Sequence, residues 1–106
     1  MSVPSPHKIR IASTSDVEVG KGKAIMIKGK EIALFRTDQG YFACENSCLH
    51  QGAPLDQGDL DGCFVSCPWH AWKFDLRSGE FVSDPAFSIK TYALEIQDQD
   101  IYLIWS

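Results

Sequence analysis

Short segments that alternate apolar and polar residues dominate the chain and predict β-strands. Lys8-Ile9-Arg10-Ile11 and the segment 89–96 place apolar side chains at about every second position. This is the period of a strand with one buried face. Ala24 to Ile27 and Glu31 to Phe35 flank Lys28-Gly29-Lys30, a sequence typical of a hairpin turn. No segment has a convincing helical period, so the pattern predicts an all-β domain.

Polar turns divide the rest of the chain into further strands. Turns are predicted at Thr37–Gly40, at Arg77–Glu80 and around Asp98 and Asp100. The further strands that these turns bound cover 41–44, 63–66, 72–74 and 101–105.

Length and composition predict one domain, 1–106, with an ordinary core, since 44% of its residues are apolar. There is no run of eighteen apolar residues, and Met1 to Pro6 is polar with no apolar stretch behind it. We therefore expect neither a membrane span nor a signal peptide. The net charge of −4 argues against a nucleic-acid partner. It is either an ordinary acidic surface or an acidic rim that attracts a redox partner; the candidates for such a rim are Glu45, Asp56, Asp59 and Asp61.

Two short boxes carry the candidate chemistry. Cys48-Leu49-His50 and Cys67-Pro68-Trp69-His70 are separated by the sixteen residues 51–66. Each box supplies one thiolate and one imidazole from a single tight loop. This donor set suits a Rieske 2Fe–2S cluster, in which two cysteines hold one iron and two histidines hold the other. The predicted ligands are Cys48, His50, Cys67 and His70.

A structural zinc site is the alternative for the same four residues. Zinc fingers take two cysteines from one loop and two histidines from another, with two to five residues inside each pair. The single residue between Cys48 and His50 gives too little slack for that arrangement. The order and spacing therefore favour the iron–sulfur cluster, with a zinc-stabilised binding module as the other interpretation.

The boxes and their surroundings resemble the Rieske ferredoxin family. The resemblance rests on 48–55, 58–62 and 67–80 and extends from about Lys8 to Trp105. It is strongest to the small soluble ferredoxins of bacterial ring-hydroxylating oxygenases and to the small subunits of nitrite reductases. It implies a Rieske fold, in which an antiparallel β-sandwich or barrel base, built from both chain ends, carries a small cluster-binding lobe at about Cys44 to Phe74.

The resemblance also bears on the redox potential and on the other cysteines. High-potential relatives carry serine and tyrosine hydroxyls where this chain has Trp72 and Phe74, which implies a low-potential cluster. The disulfide that links the cluster loops of those relatives has no counterpart here. Cys44 and Cys63 are expected to be small buried residues, with a disulfide between them as the alternative. Trp69 and Trp72 either cover the cluster at a docking face or pack beneath it.

We therefore expect an electron carrier and not an enzyme, since the sequence has no catalytic triad, phosphate loop or nucleotide fingerprint. The resemblance implies a soluble, cytoplasmic monomer that links a flavin-dependent NAD(P)H ferredoxin reductase to a terminal oxygenase. A fixed electron-transfer subunit of a nitrite reductase-type complex is the alternative.

Overall fold

The computed structural model describes residues 8–47, 52–69 and 72–104. These ranges contain eleven strands and two short 3₁₀ turns, at Thr14–Asp16 and Leu55–Gln57, and they contain no α-helix. The all-β prediction is confirmed. The strands are β1 (Lys8–Ser13), β2 (Lys21–Ile27), β3 (Lys30–Thr37), β4 (Gly40–Glu45), β5 (Asp59–Asp61), β6 (Phe64–Ser66), β7 (Lys73–Asp75), β8 (Glu80–Phe81), β9 (Asp84–Ser88), β10 (Thr91–Gln97) and β11 (Asp100–Ile104).

The larger sheet is a curled antiparallel half-barrel with the strand order β1-β11-β10-β4-β3-β2. Strands from both ends of the described chain meet in it, with Lys8 opposite Ile104. Alternate side chains of a strand point to opposite faces, and Leu34, Ile101 and Leu103 are completely buried on the inner one. The expected antiparallel base is therefore present.

Tight two-residue turns connect β2 to β3 and β3 to β4. Ile27 pairs with Lys30, and the residues between them, Lys28 and Gly29, have φ angles of 51° and 81°. Positive φ at both central positions is typical of a type I′ turn, whose twist matches that of antiparallel strands. Across the second turn Thr37 pairs with Gly40. Both predicted turns are confirmed.

A second antiparallel sheet has the order β5-β6-β7-β8-β9 and runs from Asp59 to Ser88. Its β6 and β7 match the strands predicted over 63–66 and 72–74. The expected lobe of about Cys44 to Phe74 shares β5 to β7 with this sheet. The boundaries of that lobe, and the extent of the single domain over 1–106, stay predictions.

A buried cluster of side chains, which we call the inter-sheet core, joins the two sheets. Phe35 and Cys44 enter it from the larger sheet, and Val65 and Phe74 enter it from the second sheet. Leu55 of the second 3₁₀ turn packs with them, and all five side chains are completely buried. The turn that follows the first box is therefore part of the contact between the sheets.

Glycines allow this turn to approach both sheets closely. A Cβ at Gly58 would overlap the carbonyl oxygen of Ser66 in β6. A Cβ at Gly22 in β2 would lie 2.9 Å from the carbonyl oxygen of Asp56. The segment 55–58 is consequently held between β2 and the end of β6 that leads into the second box.

None of the described segments forms a helix with the length and apolar character needed to span a bilayer.

Candidate metal centre

The second box lies in the loop between β6 and β7. Ser66 pairs with Lys73 where the two strands end, and the amide of Cys67 donates a hydrogen bond of 2.7 Å to the carbonyl oxygen of Trp72. This bond closes the loop at its base. Cys67 is 2% exposed and lies at the start of the loop. His70 belongs to the same loop in sequence but lies outside the described residues.

The segment that contains the first box begins directly after β4. Asn46 Nδ2 donates to Asp56 Oδ1 at 2.7 Å, and the amide of Asp56 donates to Asn46 Oδ1 at 2.8 Å. Cys48 and His50 lie between these two residues in sequence and outside the described residues. Two reciprocal hydrogen bonds therefore join the ends of the segment that carries the first box.

The segment after the first box packs with Cys67 of the second box in the inter-sheet core. Ala53 and Leu55, which follow the first box, pack in this core together with Cys67 of the second. Ala53 and Leu55 are completely buried, as Cys67 nearly is. The fold thus brings together two loops that are distant in sequence. The structure gives the position of one predicted ligand, Cys67; the other three, Cys48, His50 and His70, lie outside the described residues.

Cys44 and Cys63 are buried free thiols. Burial of Cys44 in the inter-sheet core raises the pKa of its thiol to about 12, and the nearby charge of Glu45 adds to the effect. The Sγ of Cys63 lies 3.1 Å from Gln39 Oε1 and donates a hydrogen bond to it. The predicted burial of both cysteines is confirmed, and the alternative of a disulfide between them is wrong.

Aromatic side chains near the second box differ sharply in exposure. Trp69 is 59% exposed. Trp72 is half-buried and stacks on Phe81, with ring centroids 4.3 Å apart and planes 7° from parallel. Phe74 is completely buried and tilts against Phe81 at 5.6 Å. Trp69 is therefore available at the surface, whereas Trp72 and Phe74 belong to the apolar packing.

The four acidic residues considered for a docking rim fall into two pairs. Glu45 accepts a hydrogen bond of 2.8 Å from the amide of Lys90, and Asp56 is bonded to Asn46. Asp59 and Asp61 are exposed on β5. Asp59 pairs with Ser66, the residue before Cys67. Of these four residues, the two exposed ones therefore lie on β5, which pairs with the strand that leads into the second box.

Asn46 is a residue of this site that sequence reasoning missed. Its side chain is only 5% exposed, and both of its polar groups are hydrogen-bonded to Asp56. Buried polar side chains need such partners. The sequence feature that could have identified Asn46 is a short amide side chain between a predicted strand and a cysteine box.

Comparison with known proteins identifies the family. The Rieske [2Fe-2S] domain matches residues 7–93. The chain belongs to the Rieske family. This Rieske protein is 32% identical over 96 residues to the ferredoxin component of naphthalene 1,2-dioxygenase/salicylate 5-hydroxylase systems of Ralstonia sp. The match covers 90% of this chain and 92% of the relative.

Solved structures show the same fold. The Rieske protein matches the ferredoxin of Sphingomonas yanoikuyae B1 with a TM-score of 0.84 and 29% identity, over 93% of this chain and 99% of that one. It also matches a chain in the complex of reduced oxygenase and oxidized ferredoxin of carbazole 1,9a-dioxygenase. That match has a TM-score of 0.83 and 25% identity, and it covers 92% of this chain and 93% of the other.

The family and the residues agree on the cofactor. Two thiol and two imidazole donors are the set that a Rieske 2Fe–2S cluster requires. The buried thiol of Cys67 lies where the segment after the first box packs against the second, so the described part of the site fits this group. The predicted cluster is confirmed by the family match, which favours iron over structural zinc. The expectation of an electron-transfer component, not a catalyst, is confirmed by the relatives.

Proposed function

We propose that this Rieske protein is a low-potential one-electron carrier. It would take electrons from a flavin-dependent NAD(P)H reductase and pass them to a terminal ring-hydroxylating oxygenase. The observation that carries the proposal is that Ala53 and Leu55, which follow the first box, pack in the inter-sheet core with the buried Cys67 of the second. The dioxygenase ferredoxin from Ralstonia sp, which this chain matches over 90% of its length, supports the same role.

The proposed ligands are Cys48, His50, Cys67 and His70. When bound, the cluster supplies one-electron transfer, at a higher potential than a four-cysteine cluster because imidazoles replace two thiolates. The hydrogen bond from the Cys67 amide to the Trp72 carbonyl oxygen closes the second loop. This supports a fixed position for the proposed ligands of that loop, Cys67 and His70.

Two features of the apolar packing support a potential near the lower end of the Rieske range, roughly −150 mV. Phe74 is completely buried in the same core as Cys67 and has no hydroxyl to donate. Trp72 is stacked on Phe81. Donors to cluster sulfurs stabilise the reduced state and raise the potential, and neither ring offers the hydroxyl found in high-potential relatives.

The surface near the second box supports brief docking on redox partners. Trp69 offers an exposed apolar ring, and Asp59 and Asp61 offer exposed negative charge on β5. Small contacts with an apolar centre and a charged rim suit transient electron-transfer complexes. The carbazole dioxygenase relative supports an oxygenase as one such partner, because that ferredoxin occurs in a complex with its oxygenase.

An anaerobic redox titration followed by electron paramagnetic resonance (EPR) tests the proposal. We expect a Rieske-type signal with a midpoint in the lower part of the range, and a midpoint well above zero would contradict it. Cys67→Ser should abolish or strongly alter the signal. Cys63→Ser is the matched control, because it replaces another buried cysteine close to the second box in sequence, and it should keep the signal.

We further propose that the carrier is a monomer of the cytoplasm. The free thiols of Cys44 and Cys63 suit a reducing compartment. Size-exclusion chromatography and purification from the native host test this. A monomer that purifies alone supports the shuttle, whereas a stable complex with a large reductase subunit would favour the nitrite reductase-type alternative. Zinc in place of iron would favour the binding module.

A further inference from the structure

A hydrogen-bonded pair of side chains, the buried Asn46 and the half-buried Asp56, connects the larger sheet to the turn behind the first box. The amide of Asn46 donates a hydrogen bond of 3.0 Å to the carbonyl oxygen of Glu31 in β3, so its backbone continues the sheet beyond β4. Asp56 lies in the second 3₁₀ turn, against Gly22 of β2. The contact between the two side chains therefore joins elements that are each fixed independently.

Each side-chain polar atom of this pair has a hydrogen-bond partner. Asn46 Nδ2 donates to Asp56 Oδ1, and Asn46 Oδ1 accepts the amide of Asp56. The second carboxylate oxygen of Asp56 accepts a bond of 2.8 Å from Gln57 Nε2. Asn46 is 5% exposed, so its two side-chain bonds lie where an unpaired polar group is costly, whereas the bond from Gln57 is exposed. The pair therefore has one strongly preferred arrangement.

The segment between the two residues contains the first box. Cys48 and His50 follow Asn46 by two and four residues, and Asp56 follows His50 by six. Fixing both ends of a short segment restricts the conformations open to the residues within it. Outer-shell contacts that orient ligands also influence how firmly a metal is held.

We propose that Asn46 and Asp56 are positioning residues for the first cluster loop. They hold its two ends at the spacing at which Cys48 and His50 reach the cluster. This rests on the proposed ligand roles of Cys48 and His50.

Exchange of the two side chains tests this proposal. In Asn46→Asp two carboxylates face each other where a donor and an acceptor now meet. In the double variant Asn46→Asp/Asp56→Asn, the new asparagine can donate to the new aspartate and still accept from Gln57. We expect the single variant to lose iron to a chelator roughly tenfold faster than wild type and to show a broadened EPR signal. The double variant should return both towards wild type.

Two controls separate positioning from charge and from overall stability. Gln99→Glu adds the same negative charge as Asn46→Asp, but in the exposed turn between β10 and β11, and should leave iron loss unchanged. Ile101→Val lowers stability in a separate buried cluster and should lower the melting temperature without broadening the signal. If Asn46→Asp does not fold, Asp56→Ala compared with Asp38→Ala decides, because both variants remove one carboxylate but only Asp56→Ala removes the partner of Asn46.

The outcomes distinguish a failure of the positioning role from a failure of the proposed ligand assignment. Loaded Asn46→Asp with wild-type iron loss and an unchanged signal would overturn the inference while leaving the carrier function intact. An equal acceleration in Ile101→Val would also overturn it, since general stability would then explain the effect. Wild-type protein with no Rieske signal would overturn the ligand assignment, and the inference with it.

Discussion

Among single residues, Cys44 shows how burial dominates the chemistry of a thiol. It is completely buried, whereas a cysteine in the unfolded chain is hydrated. Burial raises the pKa of Cys44 to about 12, against roughly 8.5 for an exposed cysteine. The folded protein therefore favours the protonated thiol. The resulting contribution to stability is complete below the unfolded pKa and is lost as the pH rises towards the folded pKa.

This predicts an alkaline loss of stability that depends on Cys44. Between about pH 8 and pH 10, the free energy of unfolding of wild type should fall by roughly 2 kcal/mol more than that of Cys44→Ala. The cavity left by the alanine lowers stability at every pH and does not alter this difference. Anaerobic chemical denaturation followed by circular dichroism measures it. Parallel pH profiles for the two proteins would contradict the prediction.

Phe74 is the residue at which the redox potential is most open to adjustment. Its ring is buried in the same core as Cys67. We expect Phe74→Tyr to raise the midpoint potential, because a hydroxyl that donates to a cluster-associated sulfur stabilises the reduced state. One charge-assisted hydrogen bond of roughly 1.5 kcal/mol corresponds to about 60 mV for one electron.

An EPR-monitored titration measures this shift. Phe81→Tyr is the control, since Phe81 packs against both Trp72 and Phe74 but is not the position that carries tyrosine in high-potential relatives. A loss of stability in Phe74→Tyr without a change of potential would show that its hydroxyl does not reach a sulfur.

Residue types and spacing predicted which cofactor suits this site, but they did not predict the contacts that hold its loops in place. Cys67 could be proposed as a ligand from its box because few cofactors take two cysteines and two histidines in that order. Asn46 and Asp56 could not be paired in advance, since they lie ten positions apart and their contact exists only after β4 and the second 3₁₀ turn are in place.

At the level of elements, the second box depends on the path of the segment 55–58, which packs closely against Ser66. Gly58 has an ordinary φ of −77°, so alanine meets no backbone strain there, but its Cβ would overlap the carbonyl oxygen of Ser66. We expect Gly58→Ala to cost about 3 kcal/mol of stability through overpacking and to weaken cluster retention, because Ser66 precedes Cys67.

Gly62→Ala provides the matched comparison. Gly62 has a positive φ of 60° with open space around its Cβ position, so alanine there should cost only about 1 kcal/mol. Thermal melts together with iron content per chain measure both effects. Equal losses in the two variants would mean that close packing against β6 is not the constraint.

The strands of the second sheet show where periodicity stops being informative. β6 and β7 could be predicted because they flank the second box, and in the structure they bury Val65 and Phe74. β9 is exposed along its whole length and contains Pro85. Proline is confined to sheet edges, and an edge strand with no buried face has no alternation to detect. Its pairing with β8 is decided by the fold and not by local sequence.

For the whole molecule, the distribution of charge matters more than the net value of −4. Asp59 is exposed and pairs with the residue before Cys67. Asp98 lies in the turn between β10 and β11, far along β10 from Thr91, which pairs with Cys44. An aspartate can therefore be replaced by lysine either close to the second box, at Asp59, or remote from it, at Asp98.

We expect Asp59→Lys to slow electron transfer from the reduced protein to cytochrome c, a strongly basic acceptor, by roughly tenfold at low salt. Asp98→Lys should have a much smaller effect. The difference should shrink as the ionic strength increases, because salt screens exposed charges. Stopped-flow absorbance measures the rates. Equal slowing by both variants would indicate a response to net charge without a local docking surface.

The strands of the larger sheet could be predicted because each is recognised from residues that lie close together in sequence. The hairpins from β2 to β4 follow from their turn residues, and β10 and β11 follow from alternation. How the two sheets pack could not be predicted in the same way. It depends on Leu55 and Phe74 meeting in one core, which no pattern within a single strand records.

Lys8 lies opposite Ile104 at one side of the larger sheet, so the described chain enters and leaves the domain at neighbouring points. Bridging two neighbouring ends costs little chain entropy. A circularly permuted gene that starts at Gly29, with Ile104 joined to Lys8 by a short linker, should still produce a folded protein. The domain is for the same reason portable, since a host protein could carry it as an insertion in a surface loop without separating the flanking ends of that loop.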